Sequence, residues 1–322
     1  MLAAACGEDG ANLGLDGRID PPNGAKGPYF ETPMFFNTDV TGVQPATTSA
    51  QQIAALRASG GWGNGDVMQI DFSIDVLTAT SSTPKRMFTP TSDFYTPDCD
   101  HVEMPVPPGG SVEGETGYAC TGDGDCHLIV FDKDGGRLYE MWRANITTTF
   151  QGGCLAAWDT RAQYMDGLRG EQCSSADAAG FPIAPLLFSA DEVAAGHIDH
   201  AIRFILPNNR PKKGYVHPAS HGTSTTGGAN SPAYGVHLRL RADYPIDSLP
   251  TEGAKVVARA MQKYGMYHAD GGNIALTAQS DKYTTAKWSG LLSARDLRAL
   301  RVEDFDVIDH GPMITLTYDC MR

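Results

Sequence analysis

The stretch that most constrains this chain is Cys126 to Ala144, CHLIVFDKDGGRLYEMWRA, a pattern that reads as a β-hairpin. An apolar run from His127 to Phe131 meets Asp134-Gly135 and returns as Leu138 to Trp142. Asp-Gly is a preferred pair for a two-residue type I′ turn. Such a turn fixes the register: Asp132 opposite Arg137, Phe131 opposite Leu138, Ile129 opposite Glu140 and His127 opposite Trp142. Side chains alternate across a strand, so His127, Glu140 and Trp142 share one face. A three-residue turn through Gly136 would move His127 to the other face and leave Leu138, Glu140 and Trp142 together.

A glutamate between apolar neighbours has to be accounted for, because a buried carboxylate without a partner is costly or takes up a proton. One reading is a solvated face, or a pairing of Glu140 with an arginine such as Arg143 or Arg203. The other is a cleft in which Trp142 stacks on a flat ligand face while Glu140 works as acid or base.

Composition sets the frame around this hairpin. Apolar residues make up 41% of 322, enough for a sizeable core, and 36 Gly and 20 Pro spread between short apolar runs favour strands and long loops over helices. The expected fold is mainly β, an antiparallel β-sandwich or barrel-like domain over 28–322 with three or four peripheral helices. The alternative is α+β, with helices at 49–59 and 252–264 on one face of a single sheet. A formal net charge of -13 and the lack of a basic stripe with interleaved aromatics argue against nucleic acid as a partner. An anionic polymer is also disfavoured. The expected state is a monomer without cofactor.

Residues 1–27 read as the end of a lipoprotein signal followed by a tether: small residues lead to Cys6, which would carry the lipid anchor. The six further cysteines fit three disulfides in an oxidising compartment, with Cys154–Cys173 the favoured pair. Zinc is the weaker reading because no CxxC pair occurs. The chain is therefore expected outside the cytoplasm, secreted or lipid-anchored at the cell envelope.

Further along, Thr48 or Ser49 is expected to cap a helix that ends at Gly60-Gly61, Val67–Leu77 alternates as one strand with Asp71 and Asp75 on its polar face, and 81–125 reads as a disulfide-stapled loop. In that loop TGDGD offers Asp123 and Asp125 for calcium, although a plain turn explains it better. Ser189 and Glu192 form a capping box, and Thr251 caps EGAKVVARAMQKY. HIDHAIRFIL is strand-like, with His200, Ile202 and Phe204 on one side and Asp199, Ala201, Arg203 and Ile205 on the other. YVHPASHG spaces His217 and His221 four apart, but Pro218 and Gly222 leave no helix to present them to a metal. YGVHLRLRA sets His237, Arg239 and Arg241 on a basic face. MYHADGGNIAL reads as strand, tight turn and strand with Asp270 at the corner. Ser293 is expected to cap a last helix, SARDLRALR, before two final strands, DFDVIDH and MITLTYDC.

The segments NTDVTGV, CHLIVFDKDGGRLYE, SADAAGFPIAPLLFSADEVAAGHIDHAIRF, YVHPASH, GVHLRLRAD and KYGMYHADGG, in this order, resemble a family of secreted bacterial and fungal proteins. The resemblance implies an extracytoplasmic, β-rich single domain. Its motifs contain the polar positions His127, Glu140, His200, Arg203, His221 and Asp270. Relatives would carry Asp-Asn-Gly where this chain has Asp270-Gly271-Gly272, which weakens a ligand role for that corner.

Three functions fit these features. In a glycoside hydrolase, Glu140 would be the general acid, raised by desolvation, with Asp270 or Asp159 as the second carboxylate. Aromatics such as Trp62, Trp142, Trp158, Tyr215 and Tyr267 would stack on sugars. A polysaccharide lyase would use His200 or His221 as base and Arg203, Arg239 or Arg241 to neutralise a uronate. A noncatalytic surface module would bind a glycan or a partner through an open face. The residues expected to touch substrate are His127, Trp142, Trp158, Asp159, Arg203 and Arg239.

Overall fold

The computed structural model describes residues 26–122 and 124–322; Cys6, most of the 1–27 segment and Asp123 lie outside them. Among the described residues ten strands build two sheets. They are β1 (Ile70–Ile74), β2 (Val76–Ala79), β3 (Leu128–Asp132), β4 (Arg137–Trp142), β5 (Cys154–Asp159), β6 (Ile202–Leu206), β7 (His237–Leu240), β8 (Met266–Gly271), β9 (Leu276–Gln279) and β10 (Phe305–Val307). Shorter two- and three-residue ladders decorate the loops. The six-stranded sheet runs β1-β9-β6-β8-β7-β10 and the four-stranded sheet β5-β4-β3-β2. The fold is mainly β, but both sheets are mixed: β1 pairs β9, β6 pairs β8 and β2 pairs β3 in parallel.

Alternation sorts the core into three layers. Ile202, Phe204 and Leu206 of β6 face the helices α1 (Ser49–Ala58), α2 (Ala190–Ala195) and α3 (Glu252–Lys263). Between the sheets lie Ile129, Leu138, Ala156, Trp158 and Tyr267. The outer face of the four-stranded sheet carries Leu128, Val130, Tyr139 and Met141, roofed by Phe88, Met104 and Val112 from the long 81–125 segment. Cys99–Cys154 and Cys120–Cys126 staple that segment to the sheet, and Cys173–Cys320 ties down the C-terminal strap. Cys154 thus pairs with Cys99 and not with Cys173.

Several local expectations change. Val67–Leu77 is two strands, because the chain passes from one sheet to the other at Asp75. That carboxylate is buried and accepts from Ser111 at 2.5 Å, from Ser280 and from Lys282 Nζ at 2.9 Å, which fastens the crossing point. β8 and β9 are not a hairpin; both flank β6, so the 272–275 link steps over the end of that strand. Thr48 makes no side-chain cap on α1. The boxes at Ser189/Glu192 and the Thr251 cap form as expected. Ser293–Leu300 folds as successive three-residue turns instead of a helix, and of MITLTYDC only Ile314 joins a ladder, against Tyr215.

Candidate functional site

The hairpin keeps its expected register, with Asp132 opposite Arg137, Phe131 opposite Leu138 and Ile129 opposite Glu140. Its turn differs. Among 133–136 only Gly136 is left-handed (φ 62°), and the Asp132 carboxylate accepts the Gly135 N–H at 2.9 Å, so the type I′ turn is absent while its register survives. The inner face therefore carries Ile129, Leu138, Glu140 and Trp142 as the alternation requires.

Glu140 is completely buried. It accepts the backbone N–H groups of Ile183 (2.8 Å) and Ala184 (2.7 Å) and the indole N–H of Trp158 (3.0 Å). Its neutralising partners are thus main-chain donors at the start of a short 3-10 helix, Ala184–Leu186, and not an arginine. Burial pushes the carboxyl up to about 7, against these donors, which pull it down.

Three more of the expected site residues grip the same connecting segment. His127 directs Nδ1 to Glu113 at 2.6 Å and Nε2 to the Ala176 carbonyl at 3.2 Å. Both ring nitrogens face acceptors, so the ring is an imidazolium. Burial alone would lower its pKa, but the charge and hydrogen bond of Glu113 lift it to about 9, while Glu113, which burial alone would raise, is held near 2. Arg203 clasps Asp177 through Nη2, and His221 Nδ1 meets the Ala178 carbonyl at 2.9 Å. Residues 176–184 are therefore a strip between the sheets, held by Glu140 and His127 from one side and by Arg203 from the other.

Asp270 is where this interior reaches solvent. On the inner face of the six-stranded sheet a polar row crosses from Asp71, opposite Thr277, to Arg203, whose Nη1 donates to Thr277 Oγ1 at 2.8 Å. The Arg203 Nη2 lies 3.6 Å from the Asp270 carboxylate, whose side chain is 28% exposed. Asp177 is fully buried on the same guanidinium; desolvation pushes its carboxyl up to about 7. Burial also raises Asp270 and Asp71. Asp177 Oδ2 and Arg203 Nε have no hydrogen-bond partner. From the other sheet, exposed Asp125 accepts the Trp142 indole N–H at 2.9 Å, and the charges of Asp125 and His127 both act on Asp270. Arg203 thus joins Asp177 and Asp270, while His127 and the Asp125 that holds Trp142 act on Asp270 through their charge.

The remaining candidates lie elsewhere or are occupied. Trp158 is wholly buried against Glu140. Asp159 faces Arg137 at 3.5 Å on the opposite face of β5 from the Glu140 partner Ala156. His200 closes the α2 capping box through Glu192 at 3.0 Å and returns Nδ1 to the Ala201 carbonyl. Arg239 spends its guanidinium on the carbonyls of Val40, Thr41 and Val43. His217 pairs with Glu171 at 2.5 Å. Sequence reasoning missed Asp177 and Glu113; a single acid inside the small apolar run SADAAGFPIA was the available signal for Asp177.

Comparison with family models, with curated proteins and with solved structures returned no match to this chain. Among the described residues no group of three or more His, Cys, Asp or Glu is arranged to hold a metal ion, and no helix is long and apolar enough to cross a membrane. Three disulfides are compatible with an extracytoplasmic location.

Proposed function

We propose that this chain is a secreted or surface-anchored polysaccharide-cleaving enzyme, a glycoside hydrolase, working at the mouth between the two sheets. The observation that carries this reading is the pair of carboxylates on one guanidinium: Asp270 reaches solvent while Asp177 backs it from the interior. Glycosidic hydrolysis needs a protonated carboxyl and an ionised one on either side of the bond. Asp270, raised by burial, is assigned as the acid, and Asp125, fixed by Trp142 and acting on Asp270 through its charge, as the second carboxyl group. An acidic mouth also favours an oxocarbenium-like transition state. Glu140 is assigned to holding the 183–184 backbone instead of to chemistry.

The lyase reading is weaker: of its two candidate bases, His200 has both ring nitrogens engaged, and His221 turns Nδ1 to the Ala178 carbonyl and packs its ring against Tyr318. A glycan-binding surface module is the second reading; the number of expected site residues spent on holding 176–184 favours it. The deciding experiment is product release from a panel of neutral, amino-sugar and uronic polysaccharides, comparing wild type with Asp270→Asn and Asp125→Asn. New reducing ends without unsaturated product, lost in both variants, support hydrolysis. Unsaturated product points to a lyase, and glycan binding without any product to a module.

A further inference from the structure

We infer that the strip 176–184 is a pH-sensitive clamp, seated between the sheets in mild acid and loosened above neutrality by the ionisation of Glu140 and Asp177. The segment is gripped at both ends by buried titratable side chains. Glu140 of β4 holds its far end at Ile183 and Ala184, His127 of β3 meets the Ala176 carbonyl at 3.2 Å, and Arg203 of β6 clasps Asp177 on the strip itself. Between these grips the Ala179 N–H donates to the Ala269 carbonyl of β8 at 2.9 Å, next to Asp270. Glu140 and Asp177 are both buried.

Both grips accommodate a neutral acid. The Ile183 and Ala184 N–H groups reach Glu140 Oε1 at 2.8 and 2.7 Å, so a proton on Oε2 leaves them bonded and gives up the Trp158 indole at 3.0 Å. Asp177 turns Oδ1 to Arg203, and its Oδ2, which accepts no hydrogen bond, is the oxygen left for a proton. Ionised, each group puts a negative charge in the interior. Glu140 is then under the charges of His127 from β3 and Asp177 from the strip, with the Tyr29 hydroxyl facing it from the N-terminal segment. Asp177 is under those of Arg203 from β6, Asp270 from β8 and Glu140, and the Tyr234 hydroxyl faces it. Arg203 is shared with Asp270 and Glu113, and His127 with Glu113 and Asp125.

The sign follows from linkage. Burial raises Glu140 and Asp177 to about 7 from unfolded values of 4.5 and 3.8, so the hold they give is complete below those values and is lost as pH rises through 7. His127, which burial would lower and Glu113 lifts to about 9, loses its share later in the same direction. His221 on the Ala178 carbonyl is lowered by burial and acts in the opposite sense, its contribution being lost as pH falls.

The test is amide hydrogen exchange of the intact chain from pH 5 to 8, with rates corrected for the intrinsic effect of pH. Protection of 176–184 should fall at least about tenfold across that range while α3 keeps its own. The Trp158 indole N–H resonance should titrate in step, because it bonds Glu140 fully only when the group is ionised. Glu140→Gln and Asp177→Asn should each shrink the fall. Constant protection of the strip from pH 5 to 8 overturns the inference, as does an equal fall in α3, which is global loosening, or a fall of full size in both variants. Where a variant does not fold, the wild-type indole decides: a resonance that does not titrate between pH 5 and 8 also overturns it. No cleavage assay enters, so failure of the hydrolase reading leaves these outcomes as they are.

Discussion

The Glu140 carboxylate receives the Ala184 backbone N–H at 2.7 Å, and through that bond the four-stranded sheet holds the first turn of the helix Ala184–Leu186. Ile183 and Trp158 donate to the same group, so a single side chain satisfies the strip between the sheets and the indole beneath it.

Removing that acceptor should unfasten the strip. Glu140→Ala leaves three buried donors without partners, and each such donor costs about 1–3 kcal/mol. A loss of about 3–5 kcal/mol in urea unfolding is expected. Glu140→Gln keeps one oxygen and should lose roughly half of that, because its amide N–H₂ faces another N–H. A Gln variant as stable as wild type would show that the clamp is not what Glu140 contributes.

The His127–Glu113 pair predicts a stability plateau with two shoulders. His127 is raised to about 9, so its contribution is complete below the unfolded value of 6.5 and is lost as pH rises through 9. Glu113 is lowered to about 2, so its contribution is complete above the unfolded 4.5 and is lost as pH falls through 2. The two shifts are one ion pair seen from its two ends, and at about 1.4 kcal/mol per pKa unit they amount to about 3 kcal/mol, counted once. Urea midpoints measured from pH 2 to 10 should be highest between 4.5 and 6.5. His127→Gln should flatten both shoulders; a variant with the wild-type profile would assign the pH dependence to other groups.

What the chain announces about itself is local. Alternation placed Glu140, Leu138 and Trp142 on one face and separated Ile202 and Phe204 from Arg203, because strand geometry depends only on neighbouring residues. Burial of Glu140 was legible from its apolar flanks, but its partners were not: Ile183 and Ala184 lie more than forty positions away and donate from the main chain, which carries no residue-type signal. For the same reason the sheet change at Asp75, the passage of 272–275 over β6 and the pairing of Cys154 with Cys99 escape a reading by spacing. The turn after Ser293 failed differently. SARDLRALR has helical propensity, yet it closes only successive three-residue turns, with Leu297 and Leu300 buried in the helix-side core.

The disulfides should not be equivalent. Cys173–Cys320 closes a separation of 147 residues and Cys120–Cys126 one of 6. On the chain-entropy model the first is worth about 5 kcal/mol and the second about 2. The longer closure also pins residue 173 next to the strip that carries Ala176 and Asp177. Cys173→Ser/Cys320→Ser should therefore lower the thermal midpoint well beyond Cys120→Ser/Cys126→Ser. Equal effects would mean that the strap adds no constraint on the unfolded chain.

Arg203 and Asp177 form the buried ion pair on which the mouth is built, and breaking it from either end should be worse than removing both. Arg203→Met strands the Asp177 carboxylate, fully buried and with Oδ2 already lacking a partner, so a loss of about 3–5 kcal/mol is expected. Asp177→Leu leaves Arg203 charged but still beside Asp270 at 3.6 Å and Thr277 at 2.8 Å, and should cost less. In Arg203→Met/Asp177→Leu both desolvation penalties disappear and an apolar contact replaces them, so most of the single-mutant loss should return. The coupling energy from urea unfolding of this cycle measures the pair directly. Additive losses would show that Asp177 is held by the surrounding strip and not by the guanidinium.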